Sequence, residues 1–259
     1  MSDKVYIVGA GPGTAELLTL KAASLLRTAN VVLHDDLVPQ EILDLIGSSA
    51  EVINVGKRCG RHGASQQQIN ALMVEYARDH AVVVRLKSGD PGIFGRLGEE
   101  LDALREAGIA YEVVPGVTAA TAAAAAAGFT LTDRRAASAL VILTAHNCRG
   151  ESLSQVLLDP EQSTYVIYMP GPDYAATARE LLRLGLHESL PCALVSAAGR
   201  EQQQVKFLPL SGLQTTNGVP APAVLVVGKV VGRNHLAESP YLLEEIYESV
   251  RNTPQNPAY

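Results

Sequence analysis

The chain has 259 residues, 47% of them hydrophobic and 19% charged, with a formal net charge of −6. That length suits one large domain or two ordinary ones, and the composition is that of a soluble globular protein. The acidic balance speaks against general nucleic-acid affinity, and no apolar run approaches the ~18 residues that a membrane helix needs, so neither partner is expected.

The chain opens on VYIVGA (5–10), a strand by its apolar run, which ends in the glycine cluster GAGPG. A strand starting at Val5 leaves no room for a signal peptide. A helix is predicted over 16–29, a strand over 30–36, a helix over 39–46 and a short strand over 51–57. Ser65 then caps a helix over 65–79, and HAVVVRLKSGD (80–90) is the most strand-like stretch of this half. A helix from about Gly98, the strand YEVVPGV (111–117) and an alanine run over 119–128 complete the series. Strand and helix alternate, as in a mostly parallel α/β sheet with crossover helices. Beyond LTDRRAAS (131–138) the rhythm changes: strands over 139–146, 163–170, 191–197, 203–210 and 223–231 stand closer together, with fewer helices between them. Antiparallel pairing is expected there. The predicted organisation is therefore two α/β domains, 1–135 and 136–252, with a loose tail at 253–259.

The opening loop invites comparison with a dinucleotide fingerprint, GxGxxG followed by an acidic residue at the end of the second strand. Gly9, Gly11 and Asp35 or Asp36 fit, but the third glycine slot holds Thr14. Pro12 also removes an amide donor that a pyrophosphate would use. Two further strands end in small-residue loops, SGDPGIFGR (88–96) and PGVTAAT (115–121). Three such loops at equivalent strand ends predict a ligand trough along one sheet edge. The cysteines Cys59, Cys148 and Cys192 lie far apart with no metal-ligand spacing, so no metal is expected and a reduced cytoplasmic setting is implied. Basic residues gather in KRCGRH (57–62) and at Arg85, Lys87, Arg96, Arg134, Arg135, His146 and Arg149. Taken singly each reads as a solvated surface charge; taken together they suit a small polyanion.

VYIVGAGPG, VVLHDDLV, GKRCGRHG, RLKSGDPGIFGRLGEEL, VVPGVTAAT and LTDRR together resemble the tetrapyrrole (corrin/porphyrin) methyltransferases, in order from Val5 to about Val231. The resemblance implies a two-domain α/β homodimer that binds S-adenosylmethionine in a cleft between its domains. The implied reaction is C-methylation of uroporphyrinogen III at two ring carbons, giving precorrin-2 for sirohaem, cobalamin or haem d1. It carries cofactor roles to Pro12, Ser88, Gly89, Asp90, Ile93, Thr118, Ala119, Met169, Ala198 and Ala223. It makes Asp35 a proton acceptor and Lys57 a proton donor, with Arg96 and Glu99 as further catalytic candidates. Cations for the acetate and propionate arms of a tetrapyrrole are expected at Arg58, Arg61, His62, Arg134 and His146. Without the resemblance, Asp90 reads equally as a loop cap and Met169 as core packing. The family often has arginine where Asp36 stands, glycine at Ser88 and Asn-Gly at Ala197-Ala198. No dehydrogenase-type module is seen, so oxidation and metal insertion are expected of another protein. A later corrin-ring methylase, a nicotinamide-dependent oxidoreductase and a non-catalytic tetrapyrrole carrier remain open.

Overall fold

The computed structural model describes residues 4–56, 64–145, 159 and 162–234. The chain divides into two compact units, Met1–Ala122 and Ala123–Tyr259. Five strands form the sheet of the first: β1 (Lys4–Gly9), β2 (Val31–His34), β3 (Glu51–Asn54), β4 (Val82–Lys87) and β5 (Ala110–Val114). Their order is β3-β2-β4-β1-β5, and every pairing is parallel. Parallel strands need crossovers, which here are α1 (Leu20–Thr28), α2 (Gln40–Leu43), α3 (Gln66–Asp79) and α4 (Leu97–Glu106).

The period-two alternation of β1 sends its side chains into two separate cores. Val5 and Ile7 pack with Ile69, Met73 and Leu104 of α3 and α4. Val8 packs with Ala22, Leu26 and Ile42 of α1 and α2. A sheet covered on both faces needs near-continuous apolar strands, which is what VYIV and VVLH supply. The helix expected over 16–29 is interrupted: a 3-10 turn at Ala15–Leu17 precedes α1, whose first turn is capped by Thr19 Oγ1 accepting from Ala22 N–H at 3.1 Å. The helix expected over 39–46 is a single turn.

In the second unit, β6 (Ala139–Thr144), β7 (Ser163–Tyr168), β8 (Pro191–Ser196), β9 (Gln204–Pro209) and β10 (Ala223–Val227) lie in the order β6-β7-β10-β8-β9. The three pairings from β7 to β9 are antiparallel, as expected; β6 and β7 pair in parallel. Helices α5 (Ala119–Ala127), α6 (Tyr174–Arg183) and α7 (Lys229–Asn234) complete the set, and the division between the units falls inside α5. The core of this unit joins Tyr165, Ile167, Leu194 and Leu225 of the sheet to Ala178 and Leu181 of α6. No helix among the described residues is long and apolar enough to cross a membrane.

Candidate functional site

In the first unit, register brings the carboxyl ends of three strands level: Gly9 lies opposite Lys87, and Val8 opposite Val114. Main chain joins the first two of the loops that follow. Ala10 N–H donates to Lys87 C=O at 2.7 Å. Gly11 and Gly89 exchange hydrogen bonds of 3.2 and 2.8 Å. An added Cβ at Gly9 would stand 2.6 Å from Gly116 N and 2.7 Å from Gly89 O, so only glycine permits this approach. Asp90 fixes the third loop, Oδ1 accepting from Gly92 N–H at 2.8 Å and Oδ2 from Gly116 N–H at 3.0 Å. Its loop-capping role is thus present, whatever else the carboxylate does.

This junction is unlike a dinucleotide site. The amides of Ala10 and Gly11 already bond the β4 loop, so they are not free to grip a pyrophosphate. Helix α1 begins at Leu20, well beyond the glycines, and its N-terminus is capped by its own Thr19. Gly89 by contrast turns an open side outward: with φ +68, a Cβ built there meets nothing within 4 Å. A ligand can therefore approach its main chain. Pro12, Ser88, Ile93, Thr118 and Ala119 lie in or beside these loops, each partly exposed.

Asp35 follows β2 at the same edge, its N–H donating to Leu86 C=O at 3.1 Å. Oδ1 accepts from Arg85 at 2.5 Å, and the side chain is 27% exposed. Arg85 and Lys87 correct the surface-charge expectation, being only 2% and 3% exposed. Both project from β4 towards α4, where Glu100 is fully buried and Oε1 accepts from Arg85 Nε and Lys87 Nζ, each at 2.9 Å. Burial, followed by the nearby Arg85 charge, pushes the Lys87 ammonium below its usual range. Sequence reasoning missed this cluster because charge was read as exposure. The available signal was position: Glu100 lies on the same helical face as Leu97 and Leu104, which pack in the core.

Arg96 and Glu99 hold each other at the surface, in a two-pronged pair of 2.7 Å hydrogen bonds. Those bonds keep the Glu99 carboxyl below its ordinary range. Arg96 adopts φ 55 and Phe94 φ 51, left-handed values that non-glycine residues rarely take and that cluster at ligand sites. Phe94 and Leu37 are large apolar side chains left 43% and 49% exposed in the loops after β4 and β2, a second feature not anticipated.

In the second unit the sheet gathers Met169, Ala198 and Ala223 at one edge. Met169 follows β7 and Ala198 lies just beyond β8; β10 runs antiparallel to both, so it begins with Ala223 where they end. Ala197 N–H donates to Pro222 C=O at 2.9 Å, closing that edge. Met169 is not core packing: it is 45% exposed and holds φ 50, and Ala197 holds φ 49. Arg134 is exposed, beside an Asp133–Arg135 ion pair. Cys192 is fully buried, and burial raises its thiol pKa. Lys57, Arg58, Arg61, His62 and His146 lie outside the described residues, as does the tail at 253–259.

A family model described as Tetrapyrrole (Corrin/Porphyrin) Methylases matches residues 4–214. A uroporphyrinogen-III C-methyltransferase of Paracoccus denitrificans is 43% identical over 250 residues, 94% of this chain and 86% of its own. Siroheme synthase 1 of Pectobacterium atrosepticum is 44% identical over 90% of this chain and 49% of its own. The chain thus spans about half the length of the siroheme synthases it matches. Among solved structures, a Thermus thermophilus uroporphyrin-III C-methyltransferase complexed with S-adenyl homocysteine superposes with a TM-score of 0.74 at 36% identity, covering 88% of this chain and 93% of that one.

Proposed function

The chain belongs to the tetrapyrrole (corrin/porphyrin) methylases, and from that premise we propose that it methylates two ring carbons of uroporphyrinogen III with S-adenosylmethionine, giving precorrin-2. The observation that carries this reading is the three-loop junction of Gly9, Gly89 and Gly116, open to a ligand on the Gly89 side, in a chain alike over nearly its whole length to a uroporphyrinogen-III C-methyltransferase. A cytoplasmic homodimer is part of the same proposal.

S-adenosylmethionine supplies a methyl group already activated on a sulfonium, so the protein's task is alignment and proton handling. Main chain at Ser88, Gly89, Thr118 and Ala119, with Pro12, Asp90 and Ile93, fits the cofactor in the first unit. Met169, Ala198 and Ala223 make up the set in the second. Gly89 supports this assignment, since its missing Cβ leaves the main chain approachable.

Asp35 takes the proton that leaves the ring system. Arg85 engages Oδ1, and Oδ2 has no hydrogen-bond partner among the described residues, so it is the atom assigned to that step. Arg96 anchors a substrate carboxylate by exchanging Glu99 for it, two carboxylates competing for one planar fork. Arg134, together with Lys57, Arg58, Arg61, His62 and His146 from outside the described residues, completes the proposed proton-donor and carboxylate-binding set.

Calorimetry with S-adenosylhomocysteine and with NAD, alongside a turnover assay on uroporphyrinogen III, tests the reading. Binding of S-adenosylhomocysteine alone and a two-methyl product are expected. NAD binding without S-adenosylhomocysteine binding overturns it.

A further inference from the structure

We propose that Arg85 is a positioning residue for Asp35, locked into that task by the buried carboxylate of Glu100. The inference rests on the reading of Asp35 as the proton acceptor and extends it to residues behind it. Arg85 is 2% exposed and far too deep to meet a substrate, yet its Nη2 reaches the 27% exposed carboxylate of Asp35. The rest of the guanidinium is committed inward. Nε donates to Glu100 Oε1 at 2.9 Å, and Nη1 donates to the carbonyls of Leu86 at 3.2 Å and Leu33 at 3.4 Å.

A planar fork held from behind on two sides leaves its remaining edge facing one way. Asp35 sits one residue past the end of β2, where a side chain is otherwise tied to the fold only through its own main chain. Arg85 therefore converts a loop carboxylate into one held at Oδ1, with Oδ2 presented outward. Glu100 makes this possible by charge as well as geometry. It takes Lys87 and Gln66 on the same oxygen, at 2.9 and 3.4 Å. The buried pair of cations is then matched by Glu100 and Asp35, two against two. Removing Glu100's charge leaves two cations on Asp35 alone, and the guanidinium loses the partner that orients it.

A lysine at position 85 would keep the charge but has a single donor point, which cannot span Glu100 and Asp35 together. Arg85→Lys is therefore expected to lower kcat at least tenfold. KM for uroporphyrinogen III and affinity for S-adenosylhomocysteine should stay within twofold. A purely structural role would lower all of these together with the folded fraction. Because Arg85 acts through Asp35, the same substitution in an Asp35→Asn background should change kcat less than twofold. An equal loss of kcat in both backgrounds, or wild-type kcat in Arg85→Lys, overturns the positioning role while leaving Asp35 as base. Full turnover in Asp35→Asn removes the base and the positioning role together. If Arg85→Lys or Asp35→Asn does not fold, Glu100→Gln, which keeps the side-chain volume, carries the test. A tenfold fall in kcat at constant KM supports the proposal, and unchanged kcat overturns it.

Discussion

Gly9 and Gly89 belong to one junction and lack side chains for opposite reasons. A Cβ at Gly9 runs into the backbone of Gly116 and Gly89, whereas at Gly89 it enters open space from a φ of +68. Gly9→Ala is expected to act on stability, by roughly 1–3 kcal/mol or more as overpacking does, with near-normal S-adenosylhomocysteine affinity in the protein that remains folded. Gly89→Ala costs about 1–2 kcal/mol for the left-handed conformation, and in addition should weaken S-adenosylhomocysteine at least tenfold. Calorimetry and thermal melts on both variants check this; wild-type affinity in Gly89→Ala would remove Gly89 from the cofactor site. The glycine loops were legible in the sequence because their chemistry is local: a small residue directly after a strand announces a turn. Arg85, Lys87 and Glu100 were not, because their burial depends on β4 meeting α4 across a gap of sequence. The left-handed backbone of Met169 and Arg96 was likewise invisible, since neither residue type favours it.

Helix α3 shows how much an element can declare about itself. Ser65 Oγ accepts from Gln68 N–H at 3.2 Å, and Gln68 Oε1 accepts from Ser65 N–H at 2.7 Å, a reciprocal cap written in the sequence as S-Q-Q-Q. Ser65→Ala should cost about 1 kcal/mol and lower the melting transition by roughly 2–4 °C, with S-adenosylhomocysteine affinity unchanged. A melt indistinguishable from wild type would show that tertiary packing alone fixes this helix start. Where caps were overlooked, the reading of elements failed: Thr19 starts α1 several residues later than periodicity suggested. Strand positions were predicted closely, strand partners less so. Alternation records which face is buried, but not the direction of the neighbour, so the parallel β6–β7 pair within a largely antiparallel sheet had no local signature.

For the whole molecule, charge poses a question of sign. The chain carries −6 overall, yet the proposed substrate is a polyanion whose arms are assigned to local cations, Arg96 and Arg134 among the described residues. At long range the net charge repels such a substrate; at short range the basic loops attract it. Salt screens both, with a Debye length of about 10 Å at 0.1 M and about 3 Å at 1 M. If the local cations dominate the encounter and the bound state, raising KCl from about 0.05 to about 0.5 M should raise KM for uroporphyrinogen III severalfold. S-adenosylhomocysteine carries no such array of carboxylates and is held largely by main chain in this reading, so its affinity should change less than twofold over the same range. The two titrations together separate substrate electrostatics from a general effect of salt on the fold. A KM that falls as salt rises would mean that the net negative charge governs the encounter, and would move the tetrapyrrole away from the basic loops.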